Sequence, residues 1–200
     1  MTKRILSKYS ICKKLRNPYN NLWGIKNKNF CKAVLSKKRK KRLTSYGKLL
    51  NIKQSFKFFY SNISEKSFKQ SVKSCIKSPS NTIDKLCSIL ESRIDSIIFR
   101  SCLVTSFQEA RQLINHRYVI VNNSYVTSPS KRINKGDVIR LKKDPCNGKE
   151  YQKILNTRSL PSYLEIDFNN LTIVFLWDTN YKNTYYPIKL RYFKLARYYK

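Results

Sequence analysis

Two arginines, an amide and an imidazole stand close together at Arg111, Gln112, His116 and Arg117. A guanidinium grips phosphate through a planar fork of donors, and amide and imidazole groups reach base edges or sugar oxygens. Asn122 and Asn123 follow, and Lys131, Arg132 and Lys135 extend the basic polar set across the next turn. Such a collection suits a folded polyanion better than bond-making chemistry. His116 is the single histidine. A catalytic base needs an orienting partner, and no neighbouring residue signals one. The six cysteines carry no local Cys-His signature.

These side chains need a scaffold, and the surrounding sequence predicts one. Leu86, Ile89, Leu90, Ile94, Ile97 and Ile98 recur at helical spacing, predicting one helix over Asn81–Arg100. Ser106 with Glu109 is a capping box opening a second helix, in which Phe107, Ala110 and Ile114 share the packing face. Arg111 and Gln112 then point away from that face. Tyr118–Val121 predicts a strand, Asn122-Asn123 a tight turn and Tyr125-Val126 the return. Lys135-Gly136-Asp137 turns into a last strand over Val138–Leu141.

The run LESRID…EARQLINHRYVIVNNSYV…SPSKRINKGDVI resembles the RNA-binding module of the universal small-subunit ribosomal protein four (uS4) family. Two positions depart from the family pattern. Phe107 replaces a basic residue at the start of the second helix, and Asn123 replaces the glycine of Val-Asn-Gly. The resemblance extends to the flanks. Arg42-Leu-Thr-Ser-Tyr-Gly47, Leu49-Leu50-Asn-Ile-Lys-Gln54 and Glu65-Lys-Ser-Phe68 are similar to the family's helical opening, with Thr44-Ser45 as a cap and Ser61 where a glycine is usual. Pro161-Ser-Tyr-Leu-Glu-Ile-Asp167 is similar to Pro-x-Trp-Leu-x-x-Asp, Tyr163 replacing the Trp. Leu171–Trp177 reads as a strand. Ile188, Leu190 and Tyr192 alternate with cations, predicting an extended segment with one buried face.

The fold expected is α+β. A basic helical N-terminal domain (1–82) is completed by the C-terminal segment (150–200, a connector and strands). Into it is inserted a small α/β RNA-binding module (83–149), two helices on a short, strongly bent sheet. The resemblance implies a structural constituent of the small ribosomal subunit that binds its rRNA directly and nucleates assembly. It also implies a place beside small-subunit proteins three and five, near the side where mRNA enters, with an influence on decoding accuracy. No cofactor and no membrane partner are expected.

Bulk charge agrees. Lys and Arg number 42 against 11 Asp and Glu, a formal net charge of +31. Self-repulsion on that scale opposes compaction, and a polyanion relieves it with counterion release. Residues 1–64 hold no acidic side chain. The peak is Lys37, Lys38, Arg39, Lys40, Lys41 and Arg42, an arm suited to lie along RNA, with Tyr46 among the aromatics interleaved for stacking on bases. Arg93 and Ser106 complete the expected RNA-contacting set. No apolar run approaches the ~20 residues that span a bilayer.

Four rival readings remain in view. A zinc held by Cys12 and Cys31 lacks two ligands in this chain, since structural sites take four. Arg93-Ile-Asp95 matches the Arg-Leu-Asp tripeptide of pseudouridine synthases, but it lies inside the module's own first helix; there Asp95 is expected to pair with an arginine on the helix surface. A free RNA-binding regulator built on the same module would lack the matched flanks. A protein of anionic membrane surfaces would show no preference for rRNA. Composition bears on location: Lys, Asn, Ile, Tyr and Phe abound while Gly numbers 4, as an AT-rich genome imposes. With a family-like start at Met1, this predicts an organelle-encoded, mitochondrial ribosome, with a plastid or a bacterial cytoplasm as the alternative.

Overall fold

A computed structural model describes residues 11, 44–142, 154–156, 158–186 and 192–199. The elements are α1 (Ser45–Phe59), α2 (Glu65–Lys77), α3 (Thr82–Glu91), α4 (Ile94–Arg100), α5 (Phe107–Asn115), β1 (Val119–Val121), β2 (Ser124–Tyr125), β3 (Val138–Leu141), β4 (Leu164–Asp167), β5 (Thr172–Phe175), a 3-10 turn (Tyr181–Asn183) and α6 (Tyr192–Tyr199). The class is α+β. The chain divides into two compact units, Met1–Lys73 with Tyr186–Lys200, and Ser74–Tyr185.

In the first unit α1 packs on α6. Thr44 caps α1, its hydroxyl accepting the Gly47 N–H at 3.1 Å, as the sequence predicts. Phe56, Phe59 and Tyr60 are buried at the far end of α1, with Phe68 and Val72 of α2 and Leu195 of α6. Ser61 and Asn62 turn the chain at φ 56° and 57°. Ser61 therefore adopts the left-handed conformation that the family's usual glycine would adopt freely. On the surface Glu65 accepts from Lys53, Lys57 and Tyr199 at 3.2, 2.8 and 2.8 Å. Lys53 also donates to the Tyr198 hydroxyl at 3.1 Å. The C-terminal stretch departs from expectation: from Tyr192 it is helical, and residues 187–191 lie outside the described residues.

In the second unit the single helix expected over Asn81–Arg100 is two helices. Asn81 caps α3, accepting the Ile83 N–H at 3.2 Å. The helix stops because the Ser92 carbonyl and the Ile94 N–H bond sideways instead of along the helix. The Ile94 N–H donates to the Lys131 carbonyl at 3.0 Å, and the Ile133 N–H to the Ser92 carbonyl at 2.9 Å. Arg93 is left extended at φ −70°, ψ 140°, bridged antiparallel to Arg132. Leu86, Leu90, Ile94, Ile97 and Ile98 are buried as the spacing predicts, while Ile89 is half-exposed.

The sheet has five antiparallel strands in the order β2-β1-β3-β5-β4. Its inward residues are Val119, Val121, Ile139, Leu141, Ile173 and Phe175. With the apolar faces of α3, α4 and α5 they form the core. The strand expected at Leu171–Trp177 is present as β5, but it pairs with β3. The segment 150–200 thus splits: its strands extend the module's sheet, and residues from Tyr186 onward group with the N-terminal unit. Period-two patterning predicts a strand without naming its partner.

Candidate nucleic-acid interface

Helix α5 opens on Ser106, whose hydroxyl accepts the Glu109 N–H at 3.2 Å. Glu109 reaches one residue further back than the capping box predicts, taking both the N–H and the hydroxyl of Thr105 at 2.7 Å. Ser106 is therefore occupied in starting the helix. Phe107 is buried and stacks on Phe99 with centroids 4.0 Å apart. The position that departs from the family pattern is a core position here. Arg158, from the connector, donates to the carbonyls of Val104 and Thr105 and lies 4.2 Å over the Phe99 ring. It fixes the loop from which α5 starts.

Arg111 does not simply point away. Its Nε donates to Asp95 Oδ2 at 3.0 Å, and its side chain keeps 24% of its surface exposed. Asp95 is buried rather than on the helix surface; it also takes Nε and Nη2 of Arg93 at 3.0 and 2.8 Å. Arg93 is itself buried. Its placement makes it a framework cation, since its fork is spent on Asp95. The buried charges of Arg93 and Asp95 are tolerable only as such a hydrogen-bonded pair. Gln112, His116 and Arg117 are exposed at the end of α5. The His116 ring stacks near Tyr118, centroids 6.3 Å apart. Arg117 turns the chain at φ 60°.

The hairpin turn is as expected, Asn122 and Asn123 both having positive φ, 46° and 69°. The Asn122 side chain closes the turn inward, donating to Asp137 at 2.7 Å and accepting the Val138 N–H at 3.0 Å. Asn123 stays exposed. Asp137 also accepts the Asn134 N–H at 2.8 Å, and Gly136 has φ 83°. Lys131 and Arg132 are exposed, and Lys135 forms an exposed ion pair with Asp178 at 3.0 Å. In the first unit Tyr46 is exposed, its hydroxyl 3.3 Å from that of Tyr198. Lys37 to Arg42, Cys12 and Cys31 lie outside the described residues.

Sequence reasoning missed a second buried ion pair. Glu91 takes two bonds from Arg100 at 3.0 and 2.8 Å and one from the Tyr163 hydroxyl at 3.1 Å. Burial, and then the Glu91 charge, pushes the Tyr163 phenol well above its usual range. Tyr163, the Trp replacement, is a completely buried donor. Among the described residues no group of His, Cys, Asp or Glu is arranged to hold a metal. No helix among them is long and apolar enough to cross a membrane. Cys75, Cys87 and Cys102 are buried thiols.

The chain thus presents an α+β scaffold with a helix-borne basic surface, its framework carboxylates spent on internal ion pairs. Residues 92–139 match the family profile described as S4 domain, and residues 3–91 the Ribosomal protein S4/S9 N-terminal domain. The chain is 30% identical over 197 residues to the small ribosomal subunit protein uS4 of Caulobacter vibrioides (strain NA1000 / CB15N), covering 95% of each. It is 30% identical over 195 residues to that of Ruegeria sp. (strain TM1040), covering 94% and 93%. Against that of Parvibaculum lavamentivorans it is 32% identical over 186 residues, covering 88% and 87%. The chain belongs to the uS4 family of small ribosomal subunit proteins. It is a structural, rRNA-binding protein and not an enzyme.

Proposed function

We propose that the rRNA is gripped by the exposed end of α5 together with the Lys131–Lys135 loop, and that Asp95 sets the pose of the arginine between them. The observation that carries this reading is the shared carboxylate. Arg111 is held by a buried partner yet remains partly exposed, so little rotamer entropy is lost when phosphate binds. Gln112, His116 and Arg117 stand on the same helix end, and Asn123 at the neighbouring hairpin tip. Tyr46 and the basic run 37–42 add contacts from the N-terminal unit.

The protein nucleates small-subunit assembly by this grip. It stands beside small-subunit proteins three and five near the side where mRNA enters, and thereby influences decoding accuracy. The ribosome is that of a mitochondrion; the Lys-, Asn- and Ile-rich, Gly-poor composition supports this.

The test is binding of the full chain to a small-subunit rRNA transcript at rising salt, with anionic vesicles in parallel. Retention on rRNA at salt that strips the vesicles is expected. Lys131→Ala with Arg132→Ala should flatten the salt dependence by about one unit of slope per removed cation. Equal loss from both partners would refute the assignment.

A further inference from the structure

The outward face of the sheet carries a patch that neither the capped helix nor the loop explains. Tyr125 on β2 opposes Ile120 on β1, and Ile120 opposes Arg140 on β3. Because side chains alternate along a strand, these three residues share one face. The inward neighbours Val119, Val121, Ile139 and Leu141 are buried, so this is the solvent face. Two residues further along the β1–β3 register from Ile120 and Arg140, and so on the same face, Tyr118 faces Lys142, whose backbone N–H donates to the Tyr118 carbonyl at 2.9 Å. The result is an open surface of two tyrosines, a half-exposed isoleucine and two exposed cations.

Tyr125 keeps 55% of its surface exposed. The Lys142 ammonium lies 4.6 Å from the centre of its ring and also touches its hydroxyl. A cation on a ring marks an electron-rich face accessible from solvent. At the other margin His116 lies against Tyr118, so the patch is continuous with the end of α5. The acidic residues of the face lie at its far side on β4. Asp167 there is bonded within its own turn to Asn169 and Asn170.

We propose that this face is a second RNA site, which takes an unpaired nucleotide. Its base stacks on Tyr125 over the Ile120 floor, and its phosphate lies between Arg140 and Lys142. Stacking on a protein aromatic is sequence-tolerant, because every base offers a π-face. The two cations, Lys142 at the ring and Arg140 across Ile120, match a sugar-phosphate backbone, and the lysine on the ring gives up its place to the base while keeping the charge nearby. An acidic protein segment is the other conceivable occupant. It fits less well, because the ring, floor and cations match a flat base with a phosphate attached.

The proposal rests on the rRNA-binding role and adds a site to it. The experiment uses the full chain, a small-subunit rRNA transcript and the variants Tyr125→Phe, Tyr125→Leu and Arg140→Gln. Tyr125→Phe should bind within about twofold of wild type. Tyr125→Leu should lose about tenfold, the scale of one stacked base. Ultraviolet irradiation of the wild-type complex should leave a nucleotide adduct on the peptide carrying Tyr125, a readout that needs no variant to fold. Wild-type affinity in both Tyr125→Leu and Arg140→Gln, with no adduct, would overturn the site and leave the rRNA role standing. Loss of wild-type binding to rRNA altogether would overturn the role itself. Full rRNA affinity in Tyr125→Leu with failure to enter small subunits would make the face a protein-docking surface and overturn the nucleotide assignment.

Discussion

Arg93 and Arg111 meet on one oxygen: Asp95 Oδ2 lies 2.8 Å from Nη2 of the first and 3.0 Å from Nε of the second. One arginine is buried and the other partly exposed, so a single carboxylate links the core of the module to its surface.

Replacing Asp95 by Ala leaves the Arg93 charge buried without its counterion. The expected cost is about 3–5 kcal/mol, read as a lower midpoint in thermal or urea unfolding. Asp95→Asn should cost less and still weaken rRNA binding, because Arg111 loses its charged anchor. An unchanged midpoint in Asp95→Ala would show that Arg93 finds another partner.

Tyr163→Phe removes only the hydroxyl that donates to buried Glu91. The ring packs as before, so the loss is that of one hydrogen bond to a charge, about 1.5–3 kcal/mol. Urea unfolding should shift its midpoint at constant slope.

Acid should loosen the N-terminal unit through Glu65. Partial burial alone would raise this carboxyl, but the bonds from Lys57, Tyr199 and Lys53 outweigh it and hold it at about 2, below its ordinary 4.5. A depressed carboxyl contributes stability above its unfolded value and loses it as pH falls through the folded one. The loss therefore falls between pH 4.5 and about 2. Solvent screening at this exposed site keeps the contribution to about 1 kcal/mol or less. Following thermal stability against pH, Glu65→Gln should be flatter than wild type across that window.

Asn123 sits at φ 69°. Asn123→Gly should stabilise by up to about 1 kcal/mol, since glycine adopts this conformation without strain. Asn123→Val, with a branched β-carbon, should destabilise by about 1–2 kcal/mol. Calorimetric midpoints of the two variants should fall on opposite sides of wild type.

What could be read in advance was what is local. The Thr44 and Ser106 caps, the Asn122-Asn123 turn and the Phe107–Ala110–Ile114 face each depend on residues a turn apart. What escaped depends on distant partners. The break at Ser92-Arg93 exists because Lys131 and Ile133 offer backbone bonds there, and nothing in the helical spacing shows it. Arg93 looked like a surface cation because its isolated sequence neighbourhood cannot reveal that Asp95 is buried. The alternation at Ile188, Leu190 and Tyr192 suggested extended chain, whereas the described stretch beginning at Tyr192 is helical. The pairing of β5 with β3 and the Glu91–Arg100–Tyr163 set bring together segments far apart in the chain.

The order β2-β1-β3-β5-β4 has a consequence for the protein as it leaves the ribosome that makes it. Vectorial synthesis delivers β1, β2 and β3 well before Thr172–Phe175. Until then β3 is an open edge with unsatisfied backbone groups, the kind of strand that recruits stray chains. A nascent chain stalled between Leu141 and Thr172 would present that edge to chaperones or to aggregation. Release beyond Phe175 closes it.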